Sequence, residues 1–210
     1  MRNKLIVVIG NVGSGKSTVS QLLSKELPAA LVPADKFFKV NPFFSKAVAD
    51  RKRWSLTSDL WFLDRRVEMM RTVVKLLTKR PVVVDSGLPM SYVYAHSRRQ
   101  SGYYNEEEWR FYQELYKKLT AAIIKPDIIV RLVAPMNILV TNIKKRGREF
   151  EVKHFTAKYL SCLNDSLVWV SRSLGRSCRV IPVPVAKDGI ECKILIHKIY
   201  ESVNSRSARL

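Results

Sequence analysis

The chain has 210 residues, 47% hydrophobic and 26% charged, which suits one globular domain over residues 1–210 and excludes a disordered polymer. With 37 basic against 18 acidic side chains the net charge is +19, so the partner to look for is a polyanion. Cys162, Cys178 and Cys192 are odd in number and lack CxxC spacing, which argues against a disulfide framework or a zinc site and for buried free thiols.

The first predicted strand is Lys4–Ile9, an apolar run too short for a signal-peptide core; with no stretch of about 20 apolar residues elsewhere, the cytoplasm is the expected location and no membrane partner is indicated. It runs into Gly10-Asn11-Val12-Gly13-Ser14-Gly15-Lys16-Ser17, followed by Thr18, which satisfies G-x-x-x-x-G-K-[ST] between a strand and a helix predicted over Lys16–Leu27. Glycines there let successive backbone N–H groups turn inward onto phosphate oxygens, and the helix N-terminus adds its dipole. Lys16 is expected on the β and γ phosphates of ATP and Ser17 on Mg²⁺. No N-K-x-D motif follows, which argues against a GTPase.

The second strand, Ala30–Pro33, is followed by Asp35, a candidate catalytic base or equally a helix cap. A long helix over about 55–78 repeats Leu60, Leu63, Val67, Met70, Val74 and Leu77 every three or four residues. Asp59 lies on it; it can face an acceptor pocket, although a lone helical acid is more often solvated. A third strand, Pro81–Val84, ends beside Asp85, a candidate Mg²⁺ acid. Asn105 followed by three glutamates predicts an N-cap and a helix towards Ile124.

A fourth strand, Asp127–Val133, and a helix over Pro135–Lys145 lead into a basic segment over 144–151. Within it, Arg146 and Arg148 flank Gly147 and can close over a triphosphate as a lid, their guanidinium forks matching phosphate oxygens. Further helices are predicted over His154–Ser173 and 190–203, with a fifth strand at Arg179–Val185 between them and a frayed polar tail over 204–210. Near-continuous apolar strands alternating with helices predict an α/β, three-layer α/β/α P-loop NTPase fold around a five-stranded parallel sheet, with a small basic lid. The basic residues are scattered in short clusters rather than gathered on one face, so a dedicated nucleic-acid reader is not indicated.

Together these pieces resemble the deoxynucleoside kinase family. The resemblance rests on the glycine loop, Asn41-Pro42-Phe43-Phe44, Asp50-Arg51-Lys52-Arg53-Trp54 entering the long helix, Lys125-Pro126-Asp127, Lys145-Arg146-Gly147-Arg148-Glu149-Phe150-Glu151 and the segment from Tyr159 to Trp169. It implies transfer of the γ-phosphoryl of ATP to a deoxynucleoside 5′-hydroxyl, with Mg²⁺, in a homodimer formed through helices that include the long one. Glu151 matches an acid that meets the sugar 3′-hydroxyl, and Asp85 an acid that assists Mg²⁺. Ala34-Asp35-Lys36-Phe37-Phe38 is also similar to the Asp-x-Phe-Tyr loop of uridine kinases.

The departures fall on the acceptor side. Val32 stands where the family has its basic glutamate before a proline, Ser86 replaces an arginine, Val48 a sugar-binding tyrosine and Asp59 a base-reading glutamine. Ser91 replaces a further acid and Asn142 an arginine ahead of the lid pair. Two other readings therefore stay open: a nucleotide-binding protein without catalysis, and a kinase whose acceptor is a nucleic-acid 5′ end.

Overall fold

The computed structural model describes residues 3–33, 35–185 and 199, and only the backbone at 35 and 36. Five parallel strands, β1 (Leu5–Gly10), β2 (Ala30–Pro33), β3 (Val82–Asp85), β4 (Ile128–Val133) and β5 (Arg179–Pro184), lie in the order β2-β3-β1-β4-β5. β1 is central and buried at every position, because helices cover both faces and neither face needs a polar side chain. β3 and β4 pair with its opposite edges, so the glycine loop that follows β1 opens at the point where the chain's crossovers change direction. In open α/β sheets that crevice is where ligands sit.

The helices are α1 (Lys16–Glu26), α2 (Phe44–Ala49), α3 (Arg51–Leu77), α4 (Pro89–Gln100), α5 (Glu106–Thr120), α6 (Met136–Arg146), α7 (Glu149–His154) and α8 (Ala157–Leu174). α3 begins four residues earlier than its apolar stripe predicts, since the Asp50 carboxylate accepts from the Arg53 amide at 3.1 Å and caps it there. At 1.5 Å per residue its 27 residues are roughly 40 Å long. α5 opens with the predicted cap as a full capping box, Asn105 and Glu108 each accepting from the other's backbone amide, but ends at Thr120 rather than near Ile124.

Three elements are not foreshadowed by periodicity. α4 is buried on several sides at once, through Met90, Val93, Ala95 and His96, so it carries no single apolar stripe. α2 and α7 are six residues each, too short for a repeat to show. The helix predicted from His154 starts instead at Ala157, where the Thr156 hydroxyl caps it by accepting from the Tyr159 amide at 3.2 Å.

The helix predicted over 190–203 lies outside the described residues except for Ile199, which is helical and buried; the tail over 204–210 lies wholly outside. Cys162 and Cys178 are free thiols but half-buried rather than buried, which corrects that expectation, and Cys192 is outside the described residues.

Candidate active site

The glycine loop connects β1 to α1 as its residue types require. Gly15 caps α1 at φ 86°, and Gly13 sits at φ 80°, both in the left-handed region. Gly13 is constrained a second way, because a Cβ there would lie 2.7 Å from the Leu139 carbonyl oxygen of α6. Two asparagines, one in the loop and one on α6, pin it to the surrounding helices. Asn11 Nδ2 donates to the Leu160 carbonyl and to Asn164 Oδ1 of α8, each at 2.7 Å, while its Oδ1 accepts from the Val12 amide. Asn142 of α6, where the resemblance implies an arginine, donates to the Gly13 carbonyl at 2.8 Å and so serves as a strut for the loop. Lys16 Nζ reaches back to the Asn11 carbonyl at 2.9 Å, which holds the ammonium across the mouth of the loop. Ser17 and Thr18 face solvent on the first turn of α1.

Asp85 ends β3 in register with Val8 of β1 and Pro33 of β2, buried beside the strand that carries the glycine loop. Ser86 follows at φ 54°, an uncommon conformation for a residue with a side chain, its amide bonded to the Val8 carbonyl at 3.1 Å. Val32, one residue before Pro33, is buried with 8% exposure. Asp35 opens a 3-10 turn over Asp35–Lys39, and its side chain is outside the described residues.

The basic segment expected to act as a lid takes its shape from Gly147, which ends α6 at φ 68° and turns the chain into α7. Glu151 is buried between the two lid arginines: Arg146 Nη2 pairs with its Oε2, and Arg148 Nη1 with its Oε1 at 3.1 Å. The Arg148 guanidinium also lies 4.6 Å above the Phe38 ring. Phe150 of α7 packs on Phe38 and Phe44 at 5.7 and 5.2 Å between ring centroids, fastening the lid to the segment that follows β2.

Lys16, Arg146, Arg148 and Glu151 line one cavity with Asp59, and Phe38, Phe44, Phe62 and Phe150 contribute its aromatic walls. Val48, Ser86 and Ser91 line it too. Asp85 and Ser17 are not among the described residues that form its wall; they stand at the strand end and helix start beside it.

Asp59 overturns the expectation of a solvated acid. It is 5% exposed, accepts from the Tyr104 hydroxyl at 2.7 Å and lies 3.7 Å from Arg98 Nε. Burial raises its pKa, and the Arg98 charge and the Tyr104 hydrogen bond act against that rise. Burial also works against the charge of Arg98, but the Tyr159 phenol and the Asp59 carboxylate outweigh it, so the guanidinium stays protonated. The Tyr104 phenol is pushed up by burial and by Asp59, which keeps it a donor.

Arg66, two turns beyond Asp59 on α3, donates from Nε to the Ser86 carbonyl at 3.1 Å and from Nη1 to Ser91 Oγ at 3.0 Å. Arg51 bonds the His154 carbonyl from the start of the same helix, and its pKa is lowered by burial and by the charge of Arg98. Sequence reasoning missed Arg51, Arg66, Arg98 and Tyr104 as site residues. Only the seven-residue spacing of Asp59 and Arg66 carried a signal, since it places them on one helix face.

Comparison with known proteins agrees with this geometry. The family model for deoxynucleoside kinase matches residues 6–205. The chain is 27% identical over 160 residues to a deoxyadenosine/deoxycytidine kinase of Bacillus subtilis, covering 72% of this chain and 70% of that one. It is also 27% identical over 162 residues to a deoxyguanosine kinase of the same organism, covering 76% and 75%. Among solved structures, the deoxyadenosine kinase from M. mycoides with dCMP and dCDP bound superposes with a TM-score of 0.79 at 21% identity, over 96% of this chain and 99% of that one. No described helix is long and apolar enough to cross a membrane. The chain therefore belongs to the deoxynucleoside kinase family, P-loop phosphotransferases that move a phosphoryl group from a nucleoside triphosphate to a nucleoside 5′-hydroxyl.

Proposed function

We propose that this chain phosphorylates a (deoxy)nucleoside seated between α3, α4 and the lid, with ATP held by the glycine loop. The observation that carries this reading is the single cavity that joins the loop lysine and both lid arginines to aromatic walls suited to a nucleobase. Lys16 holds the β and γ phosphates, and Arg146 and Arg148 neutralise charge on the transferred group. For the arginines to do so, they exchange part of their pairing with Glu151 for phosphate oxygens, which frees Glu151 to meet the sugar 3′-hydroxyl.

The Ser17 hydroxyl, at the start of α1, and the Asp85 carboxylate, at the end of β3, are hard oxygen donors that would hold Mg²⁺ together with the triphosphate's own oxygens. Mg²⁺ held there would neutralise phosphate charge. Asp35 takes the 5′-hydroxyl proton as the nucleoside oxygen bonds to the γ-phosphorus and the bond to the β–γ bridging oxygen breaks, releasing ADP. The reading extends to a homodimer through α3 and α5, which expose Val74, Phe111 and Leu119. Light scattering giving twice the 24.2 kDa chain mass agrees with that assembly, and the single mass contradicts it.

Buried Val32 at the end of β2, where the family carries its glutamate, favours a second reading in which ATP binds without turnover. ADP release with Mg²⁺-ATP and a panel of deoxynucleosides separates the two. Nucleoside-dependent ADP release that is lost in Asp35→Asn, with ATP binding kept, supports the kinase. ATP binding without release under any nucleoside supports the second reading.

A further inference from the structure

Arg98 sits on α4 with its side chain 13% exposed, and neither Nε nor Nη1 makes a hydrogen bond within the described structure. Asp59 Oδ2 is 3.7 Å from Nε, beyond hydrogen-bonding distance, and is already engaged by the Tyr104 hydroxyl. Buried polar groups are almost always bonded, and the exceptions call for a specific cause; a buried cation with idle donors is the costliest of them. Arg98 also lines the same cavity as Lys16 and the lid arginines. Arg98 therefore borders the space a substrate enters, with Nε and Nη1 themselves covered and still unbonded.

Its place along α4 says which part of the substrate it meets. α4 starts at Pro89, just past the end of β3 and the glycine loop where phosphoryl transfer takes place. Arg98 is nine residues further on, roughly 14 Å along the axis at 1.5 Å per residue. The 5′-hydroxyl must lie at the phosphate end, so the far end is left to the base.

We propose that Arg98 is a specificity-determining residue that donates to an exocyclic carbonyl oxygen of the acceptor's nucleobase, with Asp59, steadied by Tyr104, set to accept from a neighbouring N–H of the same base. The proposal rests on the nucleoside kinase reading above. A guanidinium can only donate. Guanine and thymine carry a carbonyl beside a ring N–H and so offer both partners; cytosine carries a carbonyl with no adjacent N–H and offers only the first, and adenine carries no carbonyl and presents its exocyclic amine as a further donor. A site built around a hydrogen bond rejects the analogue that lacks the partner, because its own buried group is then left unbonded.

The test measures kcat/KM for deoxyguanosine, thymidine, deoxycytidine and deoxyadenosine at saturating ATP. Deoxyadenosine is expected at least about tenfold below the best of the others, and 2-aminopurine deoxyriboside, which lacks the guanine carbonyl, similarly below deoxyguanosine. Arg98→Met is expected to lower kcat/KM for the carbonyl-bearing nucleosides about 10- to 100-fold, chiefly through KM, while deoxyadenosine and the KM for ATP change less than about threefold. Should the single variant misfold because Asp59 loses its counter-charge, Arg98→Met with Asp59→Asn removes both charges together, and the wild-type comparisons stand without any variant. Deoxyadenosine as the best substrate, or an equal loss for all four nucleosides, overturns the proposal and leaves the kinase reading intact. ADP release with none of them overturns both.

Discussion

The two halves of the cavity are built on different principles. On the donor side, backbone does most of the work: the loop's shape comes from Gly13 and Gly15 at positive φ, Asn142 of α6 donates to the Gly13 carbonyl, and Asn11 donates to the Leu160 carbonyl of α8. On the acceptor side, side chains from distant elements meet in pairs, Asp59 with Tyr104 and Arg98, and Arg66 with Ser91. A cradle made of amides serves any triphosphate and leaves little room for substitution. A pocket made of side-chain pairs can be rewritten one pair at a time, and the departures that the resemblance implies at Val48, Asp59, Ser86 and Ser91 all fall there while the loop motif is whole.

That contrast is open to attack first at Lys16. Lys16→Ala is expected to lower kcat by about a thousandfold and to weaken ATP binding, because it removes an ammonium held across the loop. Steady-state kinetics with calorimetry check both; a change confined to nucleoside KM would erase the division between the halves. Next in size, Arg146→Gln or Arg148→Gln is expected to cost about 100-fold in kcat with little change in nucleoside KM, since each would act on the charge of the transferring group.

Gly13→Ala acts on stability as well as binding, costing about 1 to 3 kcal/mol in a denaturant melt, since the new Cβ meets both an unfavourable φ and the Leu139 carbonyl. Asn142→Ala is milder, about 1 kcal/mol, from loss of one hydrogen bond to the loop.

The smallest effect is on the pH profile. Asp59 has a raised pKa in the folded chain, so between its ordinary value of 3.8 and that raised value the native state holds more protons than the unfolded one. Its contribution to stability is full below 3.8 and is lost as pH rises through the native pKa. Asp59→Asn should flatten that slope, and melts across this acidic window read it directly; an unchanged slope would mean that Asp59 carries no such shift.

The donor half was legible in the sequence because its chemistry is local. Eight consecutive residues, a strand before them and a helix after them contain nearly all of it, and Arg146, Gly147, Arg148 and Glu151 lie within six positions. The fold was legible for a related reason: a parallel sheet covered on both faces reads as five apolar runs, each found within one or two residues of its place. What stayed hidden depends on contacts across long stretches of chain. Asp59 looked solvated because its partners, Tyr104 and Arg98, lie about 40 positions away on other elements. Arg98 stands beside Arg99 with nothing local to mark it, and the pattern of α4 could not show its burial because that helix is covered on several sides. Asn142 looked like a lost arginine, and only its bond to Gly13 shows it supporting the loop.

Everything assigned to the two halves depends on the glycine loop holding a triphosphate, and calorimetric titration of the intact chain with Mg²⁺-ATP tests that most directly. One ATP per chain is expected, with binding strongly weakened in Lys16→Ala. A folded wild-type chain that takes up neither ATP nor another nucleoside triphosphate would contradict it.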